Sequence, residues 1–334
     1  MIPLHGHDEA IAAFRAGLDG GRLHHAWLIS GPRGIGKALF ADKAALRVLA
    51  DGAGPAVLDP GLDTPDEHRM ARLVAAGSHP DLMRLERLAK DGGGDLARSI
   101  TVDQVRGLQR LFATTATFSP WRVVVIDAID DLERPAANAL LKNLEEPPPN
   151  SLFLLVSHAT ERLLPTIRSR CRQLRLSTLD DDVLAAALHA AIPGTDHAEI
   201  RHLCDVGEGS PGRALAFRGL DIATLDRTLR ELAEKGDPTN AKRSALAHSL
   251  SAKSAQPRYE AFLARAPSVI ASEAKRRSGA ALGEALALWE RAQELAGSAA
   301  RLSLEVQSTV FELSGMIAAL APDGPRGGLR APRS

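Results

Sequence analysis

Gly31-Pro-Arg-Gly34-Ile-Gly36-Lys37-Ala38 places three glycines and a lysine at the spacing of a phosphate-binding loop. The apolar run Ala26-Trp-Leu-Ile29 precedes it, and a helical pattern from Lys37 to about Ala50 follows. Between a strand and a helix, such glycines let backbone N–H groups converge on phosphate, and the helix start adds partial positive charge. Lys37 is then placed to reach β- and γ-phosphates. The next position decides the chemistry. A working loop carries Ser or Thr there to coordinate Mg²⁺; here Ala38 offers no side-chain oxygen.

A second candidate is Val123-Val-Val-Ile126-Asp127-Ala128. A lone Asp at a strand end reads as a helix cap. Beside a phosphate loop it reads as the carboxylate that anchors Mg²⁺. ATPases built this way follow it with a Glu that polarises the attacking water, a task Ala128 cannot perform. Alanine at both catalytic positions predicts a nucleotide-type site without hydrolysis: Gly31, Gly34, Gly36, Lys37, Ala38 and Asp127 form a degenerate set. Vestigial ATP or phosphate binding is left open.

Arg170 lies in Thr166-Ile-Arg168-Ser169-Arg170-Cys171. On charge alone it reads as one solvated arginine in a run with Arg168, Arg172 and Arg175. Glu145-Glu146 could suggest paired acid/base carboxylates, but three prolines follow at 147–149, so they read as solvated acids at a helix end. His24-His25 precedes a strand with no further ligands nearby. Ser157 and Thr160 follow the apolar run Leu152–Val156 and suit either a nucleotide sensor or a helix cap. The chain has two cysteines, Cys171 and Cys204, which is too few for a disulfide framework or a Cys-rich zinc site. Cys171 reads as a small buried residue.

Positioning these residues requires a particular scaffold. Short apolar runs at 26–29, 82–85, 122–126 and 152–156 alternate with helical patterns, one of them over Val102–Phe112. That alternation predicts a parallel sheet covered on both faces, a three-layer α/β domain. Past Leu179 the strand signals stop. Short helices follow, broken at Gly207, Gly209, Pro211 and Gly212. A polar linker stretch spans Lys235–Arg243, and Tyr259–Leu320 reads as long helices with Leu282, Leu286, Trp289, Ala292 and Leu295 on one face. Asp51–Glu67 reads as a loop insertion. Lys+Arg and Asp+Glu both total 41, so a free-standing module that grips DNA over a long basic face is disfavoured. No secretory signal or membrane-length apolar run is visible, and a reducing cytoplasmic setting is expected.

Asn138-Ala-Leu-Leu-Lys142-Asn-Leu-Glu-Glu146-Pro-Pro is very similar to the hallmark segment of clamp-loader AAA+ subunits. Ser169-Arg170-Cys171 resembles that family's Ser-Arg-Cys motif. Together with Gly31–Lys37 and Asp127, these segments stand in family order at family spacing. The resemblance covers roughly residues 20–220 well and the C-terminal helices loosely. It implies an α/β AAA+ P-loop domain over 1–177, a small helical lid over 178–235, an all-α collar over 236–321, and a disordered tail at 322–334.

The motor subunits of that family keep the hydroxyl and the Glu that are replaced here. The double alanine, Arg22-Leu-His-His25-Ala-Trp27 and Gly209-Ser-Pro-Gly-Arg213 resemble instead the ATPase-inactive subunit at one end of the ring. The implied role is to help the DNA polymerase III loader place its sliding clamp on primed DNA. Arg170 would be lent as a finger to a neighbour's ATP, with Ser169 and Cys171 flanking it. The implied partners are the motor gamma/tau and delta subunits, the sliding clamp and, through the complex, primer-template DNA. No membrane partner and no zinc are expected. The alternatives are an ATP-hydrolysing motor subunit of the same loader and an unrelated P-loop kinase.

The sequence departs from the family in two places. Asp51–Ser78 lacks the zinc-binding cysteines that many members carry. Gly212 holds the place where motor subunits put a sensor arginine, and Arg213 follows one residue later.

Overall fold

The computed structural model describes residues 2–89, 96–302 and 304–322. The expected tail lies outside the described residues from residue 323 on. The chain divides into two compact units, Met1–Leu215 and Ala216–Ser334.

In the first unit, helix α1 (Asp8–Asp19) leads into strand β1 (Ala26–Ser30) and helix α2 (Lys37–Ala53). Next come α3 (Arg69–Ala75), β2 (Leu82–Glu86), α4 (Val102–Arg106), α5 (Leu108–Ala113) and β3 (Arg122–Asp127). Then α6 (Arg134–Glu145), β4 (Ser151–Ser157), α7 (Pro165–Arg168) and β5 (Arg172–Arg175) complete the sheet region. Helices α8 (Asp181–Ala191) and α9 (His197–Gly207) follow, and α10 (Pro211–Phe217) begins within this unit and ends two residues past it.

The five strands run in the order β2-β3-β4-β1-β5, and every pairing is parallel. Parallel neighbours need long crossovers, which the intervening helices supply. The register sets Ile29 beside Val156 and Ile126 beside Leu155. The chain therefore leaves β1, β3 and β4 at one common edge, bringing Gly31, Asp127 and Ser157 to the edge where open α/β sheets hold ligands.

Alternate strand residues feed two cores. Trp27, Ile29, Val123, Val125, Leu152 and Leu154 pack on the α2 side with Phe40, Ala44 and Val48. Leu28, Val124, Ile126, Phe153 and Leu155 pack on the opposite side with Leu140, Leu144 and Ile167. All of β4 is buried, as a central parallel strand requires. Burying one such Leu stabilises by roughly 1.5–3 kcal/mol.

The expected α/β P-loop architecture is present, with two local differences. The stretch expected as one helix, Val102–Phe112, is two, because the chain breaks at Gly107, where the Arg110 N–H donates to the Gly107 carbonyl at 3.0 Å. Glycine holds helical geometry poorly. Strand β5 had no apolar signal, since Arg-Gln-Leu-Arg buries only Leu174.

The second unit holds α11 (Ile222–Lys235), α12 (Ala241–Leu250), α13 (Gln256–Ala274), α14 (Gly279–Leu302) and α15 (Val306–Ala318). Leu225, Leu229, Phe262, Ala266, Ile270, Leu313 and Ile317 are buried where α11, α13 and α15 pack together. The seam of α14 is made of Ala285, Ala292, Ala296 and Ala299, small residues that allow close helix approach, while Leu286 stays 45% exposed. Of the expected stripe, Ala292 is buried and Leu282, Trp289 and Leu295 are half-buried, while Leu286 faces outward. No described helix is long and apolar enough to cross a membrane.

Candidate nucleotide-type site and the arginine edge

The loop between β1 and α2 has the backbone its glycines allow. Gly31, Gly34 and Gly36 all have positive φ, at 145°, 74° and 102°, which L-residues with a Cβ rarely adopt. Lys37 opens α2 but does not reach outward. Its Nζ donates to the carbonyl oxygens of Gly31 at 2.7 Å and Pro32 at 2.6 Å, and the residue is only 3% exposed. Burial drags its pKa down to about 8, against the pull of Asp130.

The outer side of the loop is covered by the start of α10. Ser210 Oγ donates to the Arg33 carbonyl at 2.9 Å, and the Gly212 N–H donates to the Gly34 carbonyl at 2.8 Å. The approach is so close that a Cβ on Gly34 would stand 2.7 Å from the Arg213 nitrogen, and one on Gly212 would stand 2.8 Å from the Gly34 Cα. His7 lies against the other flank, its Nε2 2.9 Å from the Ile35 carbonyl oxygen. Arg213 turns to Glu208, its Nη1 donating to Oε2 at 3.0 Å.

Asp127 ends β3, as expected for a strand-end carboxylate. Its Oδ2 accepts from Arg84 Nη2 at 2.7 Å. Arg84 projects from the neighbouring strand β2 and also donates through Nε to Glu86 at 2.9 Å and through Nη1 to Asp42 on α2. Burial raises the Asp42 pKa, and the nearby Asp127 and Glu86 charges add to the rise while Arg84 opposes it.

Asp130, three residues past Asp127, ties the end of β4 in place. It accepts from Ser157 Oγ at 3.0 Å, from the His158 N–H at 2.7 Å and from the Ala159 N–H at 3.1 Å. Ser157 is therefore a buried tether. Thr160 opens a short 3₁₀ turn, and its carbonyl accepts from Arg168 at 3.4 Å. His158 is pushed down to about 4 by burial and by the positive charges of Lys37 and Arg33.

The fold implies a nucleotide with Mg²⁺ at this edge, and the residues present do not fit that group. Ala38 and Ala128 lack the oxygens it needs. Lys37 is satisfied by the loop's own carbonyls, Asp127 holds a guanidinium, and Ser210–Gly212 sits on the loop.

Arg170 lies elsewhere, beyond the short helix α7, which Pro165 starts at its first turn. Its Nη1 donates to the Thr166 carbonyl at 2.9 Å and to Ser169 Oγ at 3.4 Å. Its Nη2 pairs with Glu145 Oε1 at 2.8 Å, with about a third of the side chain still exposed (35%). Glu145, expected as a solvated acid at the end of α6, is thus a partner of the arginine. Both border an open cavity of about 770 Å³ that His24, His25, Glu146 and Cys171 also line. The two histidine rings stack 4.4 Å apart, and burial lowers the His25 pKa. Among the described residues no three His, Cys, Asp or Glu side chains are grouped to hold a metal. Burial pushes the Cys171 thiol up to about 12, which suits an inert packing residue and not a nucleophile.

The sequence marked the loop, Asp127, Arg170 and the Gly209–Arg213 segment that holds Ser210, but not Arg84, Asp130 or His7. Asp130 carried one weak signal, an acidic pair that begins three residues past a strand-end Asp. Arg84 and His7 contact the site only through the fold.

The family profile of DNA polymerase III, delta subunit, matches residues 6–180. DNA polymerase III subunit delta' of Pseudomonas aeruginosa is 35% identical over 205 residues, 61% of this chain and 59% of that one. Subunit delta' of Escherichia coli is 32% identical over 213 residues, 64% of this chain and 59% of that one. Subunit tau/gamma of Haemophilus influenzae is 32% identical over 228 residues, 66% of this chain and 31% of that one. The matched stretch therefore spans less than two thirds of the length of each of these relatives.

Proposed function

The chain belongs to the DNA polymerase III delta-subunit family, and we propose that it serves as the non-hydrolysing delta' member of a clamp loader. In this reading it closes one end of a ring of subunits. It lends Arg170 to the ATP of an adjacent motor subunit while its own site stays idle. Its partners are the gamma/tau and delta subunits, the sliding clamp and, through the complex, primer-template DNA. It works in the cytoplasm and needs neither zinc nor a nucleotide of its own.

The observation that carries the reading is a contrast between two places in one unit. The nucleotide-type residues Lys37 and Asp127 are satisfied inside the chain. Arg170 is a half-buried, fixed positive charge on a Ser-Arg-Cys corner, paired with Glu145 and bordering an open cavity. Its planar fork suits the charge that develops on a transferring phosphoryl group. A charge that serves a γ-phosphate has no use at a site without a hydroxyl at position 38 or a carboxylate at position 128, so in this reading the phosphate belongs to a neighbour. The same contacts disfavour the motor-subunit alternative.

Two measurements test this. The isolated chain should release no more phosphate from ATP than its Lys37→Ala variant; clear turnover above that control would sink the idle-site half. In a loader reconstituted with motor, delta and clamp subunits, Arg170→Ala should leave assembly unchanged by gel filtration and slow ATP turnover. A finger in trans is worth roughly 10³–10⁵ in rate at the site it serves, and total turnover falls less because the other sites keep working. Arg170→Lys should fail too, because a point charge does not replace the fork. An assembled Arg170→Ala loader with wild-type turnover would reduce Arg170 to a surface charge.

A further inference from the structure

The P-loop fold implies a divalent cation at Asp127, and the residues there disagree. We infer that Arg84 is the resident cation of this edge: its guanidinium takes the place of a metal and holds the strand-end carboxylate of the idle site. The inference rests on the reading of Asp127 as that carboxylate. It adds a third departure from working chemistry, one that neither Ala38 nor Ala128 reveals.

The geometry is specific. Arg84 uses three different nitrogens on three carboxylates from three elements: Nη2 on Asp127 of β3, Nε on Glu86 of β2 and Nη1 on Asp42 of α2. The parallel register sets Arg84 beside Val125 and Glu86 beside Asp127. The fork therefore lies alongside the last turn of β3 instead of reaching it from a loop. Asp127 and Asp42 are partly withdrawn from water, with side chains 22% and 45% exposed. Three carboxylates gathered at one place repel one another. A guanidinium spreads one charge over five donors and can bond all three at once. Among the described residues no acidic group is arranged to hold a metal as it stands, as expected if the carboxylates are splayed around a fork. Lys37, another cation of the site, donates to the carbonyl oxygens of Gly31 and Pro32. Charge balance at Asp127 thus falls to Arg84.

A double-mutant cycle on the full chain reads this role through its sign. In the wild-type background Asp127→Asn removes a carboxylate from Arg84 and should lower Tm. In the Arg84→Ala background the same change relieves repulsion from Asp42 and Glu86 and should raise Tm. A merely structural arginine would give Asp127→Asn the same sign in both backgrounds, and that result overturns the inference. If Arg84→Ala does not fold, the cycle is run on Arg84→Lys. One ammonium cannot replace three forked donors, so Asp127→Asn should then cost less than in wild type; an equal or larger cost overturns the inference. Mn²⁺ titration followed by electron paramagnetic resonance is the second arm. The wild-type chain should bind no Mn²⁺ that Asp127→Asn removes, and a bound ion lost with Asp127→Asn would overturn it. ATP turnover by the isolated chain would sink the idle-site reading instead, and the sign of the cycle is independent of that assay.

Discussion

At the scale of single residues, the site is defined by where its charged groups have gone. A P-loop lysine is kept to meet phosphate, yet Lys37 is nearly fully buried on two carbonyls of its own loop. A buried ammonium is disfavoured relative to a neutral amine, which is why its pKa falls to about 8. The sign of the consequence follows. The unfolded chain keeps this proton up to the ordinary lysine range, and the folded chain releases it near 8, so between those values the unfolded state binds more protons. Lys37 therefore makes stability rise with pH across that window, on the order of 1–3 kcal/mol. Lys37→Met removes this contribution and leaves every other titrating group in place. The difference in Tm between wild type and Lys37→Met should shift in favour of wild type from pH 7.5 to pH 10; a difference flat with pH would show that Lys37 is not buried as a charge. The glycines, Lys37 and Asp127 were legible in the sequence because loop spacing and a strand-end Asp are local signals. Arg84 was not, because its partner Asp127 lies 43 positions away. Nothing in Leu-Met-Arg-Leu-Glu marks which side of the sheet edge an arginine will face.

At the scale of elements, apolar runs announced β1, β3 and β4, since buried parallel strands have no polar face to disguise them. β5 stayed hidden for the opposite reason, being short and charged at the sheet edge. The insertion after α2 was legible as a loop but not as an ordered one, and one side chain explains the order. Arg47 points inward from α2 and is fully buried. Its Nε donates to Asp51 at 2.8 Å, Nη1 to the Gly61 and Asp63 carbonyls at 3.2 Å each, and Nη2 to the Val57 and Asp59 carbonyls at 2.7 and 2.8 Å. All five guanidinium donors are used. The loop that carries zinc-binding cysteines in the family it resembled is here wrapped around an arginine. Arg47→Met should cost about 3–5 kcal/mol, the range for removing one side of a buried charged network, and Arg47→Lys should also fail because three donors cannot serve five acceptors. Hydrogen exchange should quicken over residues 54–63 in both variants, and elemental analysis of the wild-type chain should find no stoichiometric zinc. Unchanged exchange over that loop, or one zinc per chain, would contradict the arginine-ordered loop.

At the scale of the whole molecule, 41 basic and 41 acidic residues leave no net field, so function must lie in local placements, and stability in the separate cores of the two units. The sequence showed where strands give way to helices but not which charges lie inside the helical unit. Asp226 on α11 and Arg265 on α13 form a bidentate pair at 2.8 Å on both arms, each side chain 9% exposed. In sequence they look like two more surface charges on amphipathic helices, separated by 39 positions. Two parallel bonds to one carboxylate fix the angle as well as the distance between the helices. Asp226→Ala takes both bonds from a buried guanidinium, with an expected cost of about 3–5 kcal/mol, a large share of the 5–15 kcal/mol typical of a folded protein. Because the pair lies wholly within Ala216–Ser334, the loss should be local. Hydrogen exchange should quicken over α11, α13 and α15 and stay unchanged over β1, β3 and β4. Substituting Asp226→Leu together with Arg265→Met should recover most of the stability, since well-packed apolar residues can replace a buried pair at little or no cost. Faster exchange spread equally over the sheet would mean that the two units unfold as one. Failure of the double variant to recover would mean that the pair sets the helix geometry in a way apolar packing cannot.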